Sequence, residues 1–258
     1  MSEPKFERPP VTEVAVAIEF VPIPALTAVP IVQMYAKLWA ADYPKVVEQM
    51  ALPPTGPEPG SMLAGIGLRV GQGAEALRLW MLAEDEAELL QLQHDRLILN
   101  WRMLEGGHYP AYATLRERFS RRWEELGTAV AGLGQVRPTV AEVTFVNAAA
   151  SSAGWAGMAD VLATSGVPVL PGNCVASAVQ YVAALDEETG GPGQIVVTAQ
   201  HNGQSSVTLT IVTRLSITGT EIASARILDR LDRAHDLGVQ TFVALTPPDK
   251  HAEWGRTQ

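Results

Sequence analysis

The chain has 258 residues, 47% of them apolar and 18% charged. That make-up belongs to a globular protein with a full core and excludes intrinsic disorder and fibrous repeats. Nineteen basic against 28 acidic side chains leave a net charge of −9, which argues against nucleic acid as a partner. The single cysteine, Cys174, allows no intramolecular disulfide and no thiolate metal cage.

The opening residues mix acids and prolines where a signal peptide would carry a basic start and an apolar run. The long charge-free stretches 161–185 and 189–213 hold too many glycines, prolines and polar residues to span a bilayer as one helix. A cytoplasmic location without membrane attachment is the expectation.

In chain order, a first strand is predicted over 11–21, with Pro9 and Pro10 ahead of it. A helix follows over 30–42, where Ile31, Met34, Tyr35 and Leu38 fall at i, i+3, i+4 and i+7. Residues 52–61, rich in proline and glycine, read as an extended loop. Alternating apolar residues predict strands over 77–83, 89–93 and 97–103, and the short gap 94–96 requires a hairpin between the last two. A second helix spans 109–127, its inner face formed by Tyr112, Leu115, Phe119, Trp123 and Leu126.

The second half reads in a similar order. Strands are predicted over 140–147, 175–185, 194–200 and 207–217, with a short helix over 157–163 and a hairpin turn at Asn202-Gly203. A last helix runs from about 221 to 237, capped by Thr220 and stopped by Gly238, and an apolar run follows at 242–245. Arg8-Pro9-Pro10-Val11-Thr12-Glu13-Val14 matches Arg137-Pro138-Thr139-Val140-Ala141-Glu142-Val143 at five of seven positions. The expected fold class is α+β: two pseudo-repeated half-domains, 1–129 and 130–258, of β-α-β-β-β-α order. Each would have an antiparallel sheet with helices on one face.

The opening Phe6-Glu7-Arg8-Pro9-Pro10-Val11-Thr12-Glu13-Val14 resembles the signature of a sporadically distributed bacterial family of unknown function, about 250 residues long. The hairpin 90–102 and the ending Ala234-His235-Asp236, Phe242, Leu245, Thr246 and Trp254 extend that resemblance. It transfers no activity and no site residue. The family's patchy distribution implies at most an accessory role in a mobile-element or defence system.

No catalytic constellation stands out. The five histidines include no pair at i, i+4 on a helix, and there is no nucleophile elbow or Walker sequence. Gly65-Ile66-Gly67-Leu68-Arg69-Val70-Gly71 has the wrong spacing for a dinucleotide loop. No cofactor, metal or catalytic residue is assigned. Glu13 and Glu142, at matching places in the two opening strands, would form an acid–base or cation-holding pair if they met across a two-fold. The simpler expectation is that an arginine or backbone N–H groups hold each one.

Two readings follow. The first is a non-catalytic binding or assembly protein, a homo-oligomer or a partner of another protein. It rests on the stretch 138–213, which has no Lys or Arg, and on Thr208, Thr210 and Val212 as an uncharged β-forming interface. The alternative is an enzyme or small-ligand binder with a site at the seam between the halves. There Glu13, Glu142, Arg102, Trp101 and His235 would converge.

Overall fold

The computed structural model describes residues 6–53, 77–105, 107–149, 162, 177–189, 191–201, 207–218 and 224–257. The first half contributes β1 (Val11–Phe20), α1 (Ala28–Met34), β2 (Lys45–Met50), β3 (Leu77–Leu82), β4 (Glu88–Gln93), β5 (Arg96–Arg102) and α2 (Tyr112–Ala129). The second contributes β6 (Pro138–Ala149), β7 (Ser177–Leu185), β8 (Gly193–His201), β9 (Val207–Ser216), α3 (Ser224–Leu245) and α4 (Pro248–Glu253). The short helix expected over 157–163, Cys174 and the Asn202-Gly203 turn lie outside the described residues.

Among the described residues, nine strands join in one antiparallel sheet of order β2-β3-β4-β5-β1-β6-β9-β8-β7. This corrects the expected pair of half-domains, each with its own sheet. The reason lies in β1. Its run Val14-Ala15-Val16-Ala17-Ile18 is buried on both faces, so both kinds of position are apolar. Such a strand belongs in the interior of a sheet, paired along both edges. β5 takes one edge and β6 the other, with Val14 opposite Phe145, Val16 opposite Val143 and Ile18 opposite Ala141. The boundary between the halves is therefore a continuous hydrogen-bond ladder in the middle of one core.

One face of the sheet carries Val14, Val16 and Ile18 of β1, Leu97, Leu99 and Trp101 of β5, Val143 and Phe145 of β6, and Leu209 and Ile211 of β9. These pack with Leu115, Phe119 and Leu126 of α2 and with Ile227, Leu231 and Ala234 of α3 in one cluster. Burying each large aliphatic or aromatic side chain contributes about 1.5–3 kcal/mol, so this cluster dominates the favourable side of folding. The opposite face has a small apolar patch of Ala15, Ala17 and Ile98, against which Leu52 packs. Around it run polar side chains in a chain of hydrogen bonds. The Arg78 guanidinium donates to Gln91 Oε1 at 3.1 Å, Gln91 Nε2 to Asn100 Oδ1 at 2.7 Å, and Asn100 Nδ2 to Glu13 Oε1 at 2.5 Å.

Three local differences from the sequence expectation have physical causes. The helix expected over 30–42 is α-helical only to Met34 and continues as a π-helical turn, Tyr35–Trp39, that drives Trp39 fully into the core. Gly238 does not end α3. A Cβ there would lie 2.8 Å from the Phe145 ring, so the glycine serves close packing of helix on sheet, and the helix carries 242–245 with it. β2 was not expected because it is an edge strand with mostly exposed side chains and no apolar alternation toward a core. Among the described residues, no helix is long and apolar enough to cross a membrane.

Candidate functional site

A cavity of about 740 Å³ opens over the centre of the sheet, between α2 and α3. Its floor is Val11 of β1 with Phe145 and Asn147 of β6. One wall is Met103 and the entry to α2, namely His108, Tyr109, Ala111, Tyr112 and Ala113; the other is His235, Gly238, Val239 and Phe242 of α3. The segment Phe6–Pro9 closes one end.

That closing segment is fixed by the other terminus. Glu7 and Arg8 donate backbone hydrogen bonds to the carbonyls of Gly255 and Trp254. The Phe6 ring meets Phe242 edge-on at 5.7 Å and also packs against His251 and Trp254. The wall before α2 is held in an unusual conformation, because Ala111 has φ of +67°. A non-glycine residue there costs on the order of 1–3 kcal/mol, and such strain concentrates where a binding surface needs a particular shape.

Besides Glu7, Arg8 and His108, the polar groups of the lining are Tyr109, Tyr112, Asn147 and His235, of which Tyr112 and Asn147 are tied into the fold. Tyr112 and His235 stack at 3.9 Å with their rings nearly parallel. The Tyr112 hydroxyl donates to Asp232 Oδ1 at 3.1 Å, and Arg116 Nε binds the same oxygen at 2.6 Å, tying α2 to α3. Burial, and then the Asp232 carboxylate, push the Tyr112 phenol well above its usual range, so it remains a protonated donor. His235 is 6% exposed, with Nδ1 3.2 Å from Asp236 Oδ1. Asn147, also buried, donates to the Leu209 carbonyl at 3.2 Å. Tyr109 leans on Trp101 with ring centres 5.2 Å apart. The result is a largely aromatic and aliphatic chamber with an imidazole and a carboxamide in its inner wall.

Of the five residues expected at the seam, the structure brings His235 into the cavity and places Trp101 directly behind Tyr109. Glu13, Glu142 and Arg102 lie on the opposite face of the sheet. Glu13 stands opposite Val146 and Glu142 opposite Ala17, four residues apart along the ladder and so about 13 Å from each other. The two carboxylates do not form a pair. Asn100 holds Glu13, while Arg214 Nε holds Glu142 Oε2 at 2.5 Å. Arg102 donates to the Glu86 carbonyl at 2.7 Å.

Thr208, Thr210 and Val212 are half-buried on β9, which has β6 along one edge and β8 along the other. Their strand offers no free edge.

Sequence reasoning missed His108, Tyr109, Phe145, Asn147 and Phe242 as neighbours of one chamber. Tyr112 was read only as helix core. The available signal was the Phe6-to-Pro9 motif together with the His108-Tyr109-Pro110 entry to α2, two segments about 100 residues apart with no local pattern linking them.

A second cleft, about 500 Å³, lies beside α2 and is lined by Asp42, Tyr43, Glu88, Arg118, Arg121 and Arg122. Its charges satisfy one another. Tyr43 donates to Glu88 Oε1 at 2.5 Å, Arg118 binds Glu88 Oε2 at 2.6 Å, and Arg122 binds Asp42 at 2.5 Å while lying 5.0 Å over the Tyr43 ring. Burial and then the Glu88 carboxylate raise the Tyr43 phenol, which keeps it a protonated donor. The knot reads as structural.

Among the described residues, no group of three or more His, Cys, Asp or Glu side chains is placed to hold a metal ion. No protein-family model, curated protein or solved structure matches the chain.

Proposed function

We propose that the protein is a non-catalytic binding protein, and that its ligand is a planar, largely apolar small molecule with one polar edge. The observation that carries this is the aromatic cavity between α2 and α3 over the β1–β6 junction. Its volume of about 740 Å³ falls in the range of small-molecule sites. The stacked Tyr112–His235 pair and the Phe145 and Phe242 rings suit a flat partner. His235 and Asn147 supply orientation. Of the remaining polar groups, Tyr112 ties α2 to α3 through Asp232, and Arg8 donates to the Glu253 carbonyl.

The test uses anilinonaphthalene sulfonate, an amphipathic aromatic probe, on the folded chain. One probe should bind per chain, saturably. At a hundredfold excess over its dissociation constant it should raise the unfolding free energy by about 2.7 kcal/mol. Val239→Trp should fill the chamber and weaken binding at least about tenfold, or 1.4 kcal/mol, with circular dichroism unchanged. Absence of saturable binding, or equal affinity in the Val239→Trp protein, would remove the cavity from consideration.

A further inference from the structure

The two ends of the nine-stranded sheet are built differently. The β2 edge, Lys-Val-Val-Glu-Gln-Met, carries Lys45 and Glu48, charges of the kind that discourage strand addition. The β7 edge, Ser-Ala-Val-Gln-Tyr-Val-Ala-Ala-Leu, has nine residues with no charge and no proline. Among the described residues it pairs with β8 along one side only. Its middle is open to solvent, with Tyr181 45% and Val182 38% exposed. An edge of this length and composition is a template for another strand, and it carries none of the charges or prolines with which native proteins blunt such edges.

We infer that β7 is a self-association edge, where two copies of this chain join antiparallel into one eighteen-stranded sheet about a two-fold at Tyr181. An uncharged strand pairs with a copy of itself without like-charge contacts, and the charge that flanks it sets the direction. The acidic run Asp186-Glu187-Glu188 follows β7 immediately. Parallel addition of a second copy would set the two acidic runs side by side. Antiparallel addition sends them to opposite ends of the nine-residue pair, about 30 Å apart and well beyond the screening length of about 8 Å at physiological salt. Along the strand itself an identical copy meets only uncharged side chains.

A two-fold at Tyr181 makes the contact isologous, the form in which a homodimer closes rather than growing into a filament. It also places the two Tyr181 side chains directly opposite each other, Cα atoms about 4.5–5.5 Å apart. Aromatic cross-strand pairs of this kind are among the favourable ones in sheets. This inference is independent of the cavity, which lies at the sheet's centre, three strands away from β7.

Sedimentation equilibrium on the full chain tests it. The wild-type chain should sediment with the mass of two chains at tens of micromolar. Tyr181→Lys sets two like charges at the two-fold and should weaken dimerisation at least about tenfold. At concentrations low enough for both proteins to be monomeric its melting temperature should match that of the wild type, and its affinity for the anilinonaphthalene probe should be unchanged, because Tyr181 is exposed and outside the cavity. An equimolar mixture of Tyr181→Lys and Tyr181→Glu should regain the dimer, since only a pair centred on residue 181 brings those charges together. A monomeric wild type, a dimer indifferent to Tyr181→Lys, failure of the mixture to re-associate, or a mass that climbs without limit through β2-to-β7 pairing would each overturn the inference.

Discussion

Trp39→Ala is expected to lower the unfolding free energy by about 4–5 kcal/mol, the largest single-site loss anticipated in this chain. The indole is fully buried at the end of the π-helical turn Tyr35–Trp39. Its Nε1 donates to Glu125 Oε2 of α2 at 2.7 Å, so it joins the N-terminal helical segment to the long helix. Removing it leaves a cavity that neighbouring side chains cannot close and deletes a hydrogen bond to a charged group. Urea denaturation followed by circular dichroism measures the loss. Trp39→Phe separates the two contributions. It keeps most of the packing and loses the N–H donor, and Glu125 is still bound by Arg122 at 3.0 Å, so a cost of only about 1.5 kcal/mol is expected. Equal losses in the two variants would show that the hydrogen bond, and not ring packing, anchors the turn.

Arg214→Met is expected to cost about 3 kcal/mol. Arg214 and Glu142 sit opposite each other on β9 and β6, with side chains only 10% and 17% exposed. Removing the guanidinium strands a buried carboxylate, a change that typically costs 3–5 kcal/mol. The lower end applies because the Thr144 hydroxyl still donates to Glu142 at 3.3 Å. In a protein of this length that loss lowers the melting temperature by about 6–12 °C. The double variant Glu142→Gln/Arg214→Met should recover most of the stability, since it leaves no isolated charge. A double variant no more stable than Arg214→Met alone would mean that the arginine acts through packing.

Period-two alternation located β3, β4, β5, β8 and β9, because each presents one apolar face to the helices and a more polar face away from them. The two-sided burial of β1 was visible in its sequence as well, in Ala15 and Ala17 between Val14, Val16 and Ile18. What it implied was the joining of the halves. That joining depends on which residue of β6 faces which residue of β1, more than a hundred residues away, and no local pattern encodes it. The π-helical turn and the passage of α3 through Gly238 were hidden for a related reason. Both are set by a tertiary contact, Trp39 in the core and Phe145 beneath the helix, that overrides the local signal.

Of the residues singled out in the sequence, His235 lines the chamber, and Trp101 lies behind its Tyr109 wall. The rest of the chamber is assembled from β1 and β6, Met103 and the entry to α2, the middle of α3 and the segment 6–9. Glu13 and Glu142 attracted attention because they occupy matching positions in similar segments. Antiparallel pairing of those segments sets the two side chains about 13 Å apart along the ladder, so matching positions in the sequence do not become neighbours in space.

Hydrogen exchange read by mass spectrometry, with and without the anilinonaphthalene probe, tests the central claim of a ligand chamber over the sheet's centre most directly. Bound probe should slow exchange together in the first turn of α2, in 235–242 of α3 and in 6–11. Exchange in the Tyr43–Glu88–Arg122 cleft and along β7 should stay unchanged. Slowing confined to that cleft or to β7, or no change in any of the three chamber segments, would contradict the account.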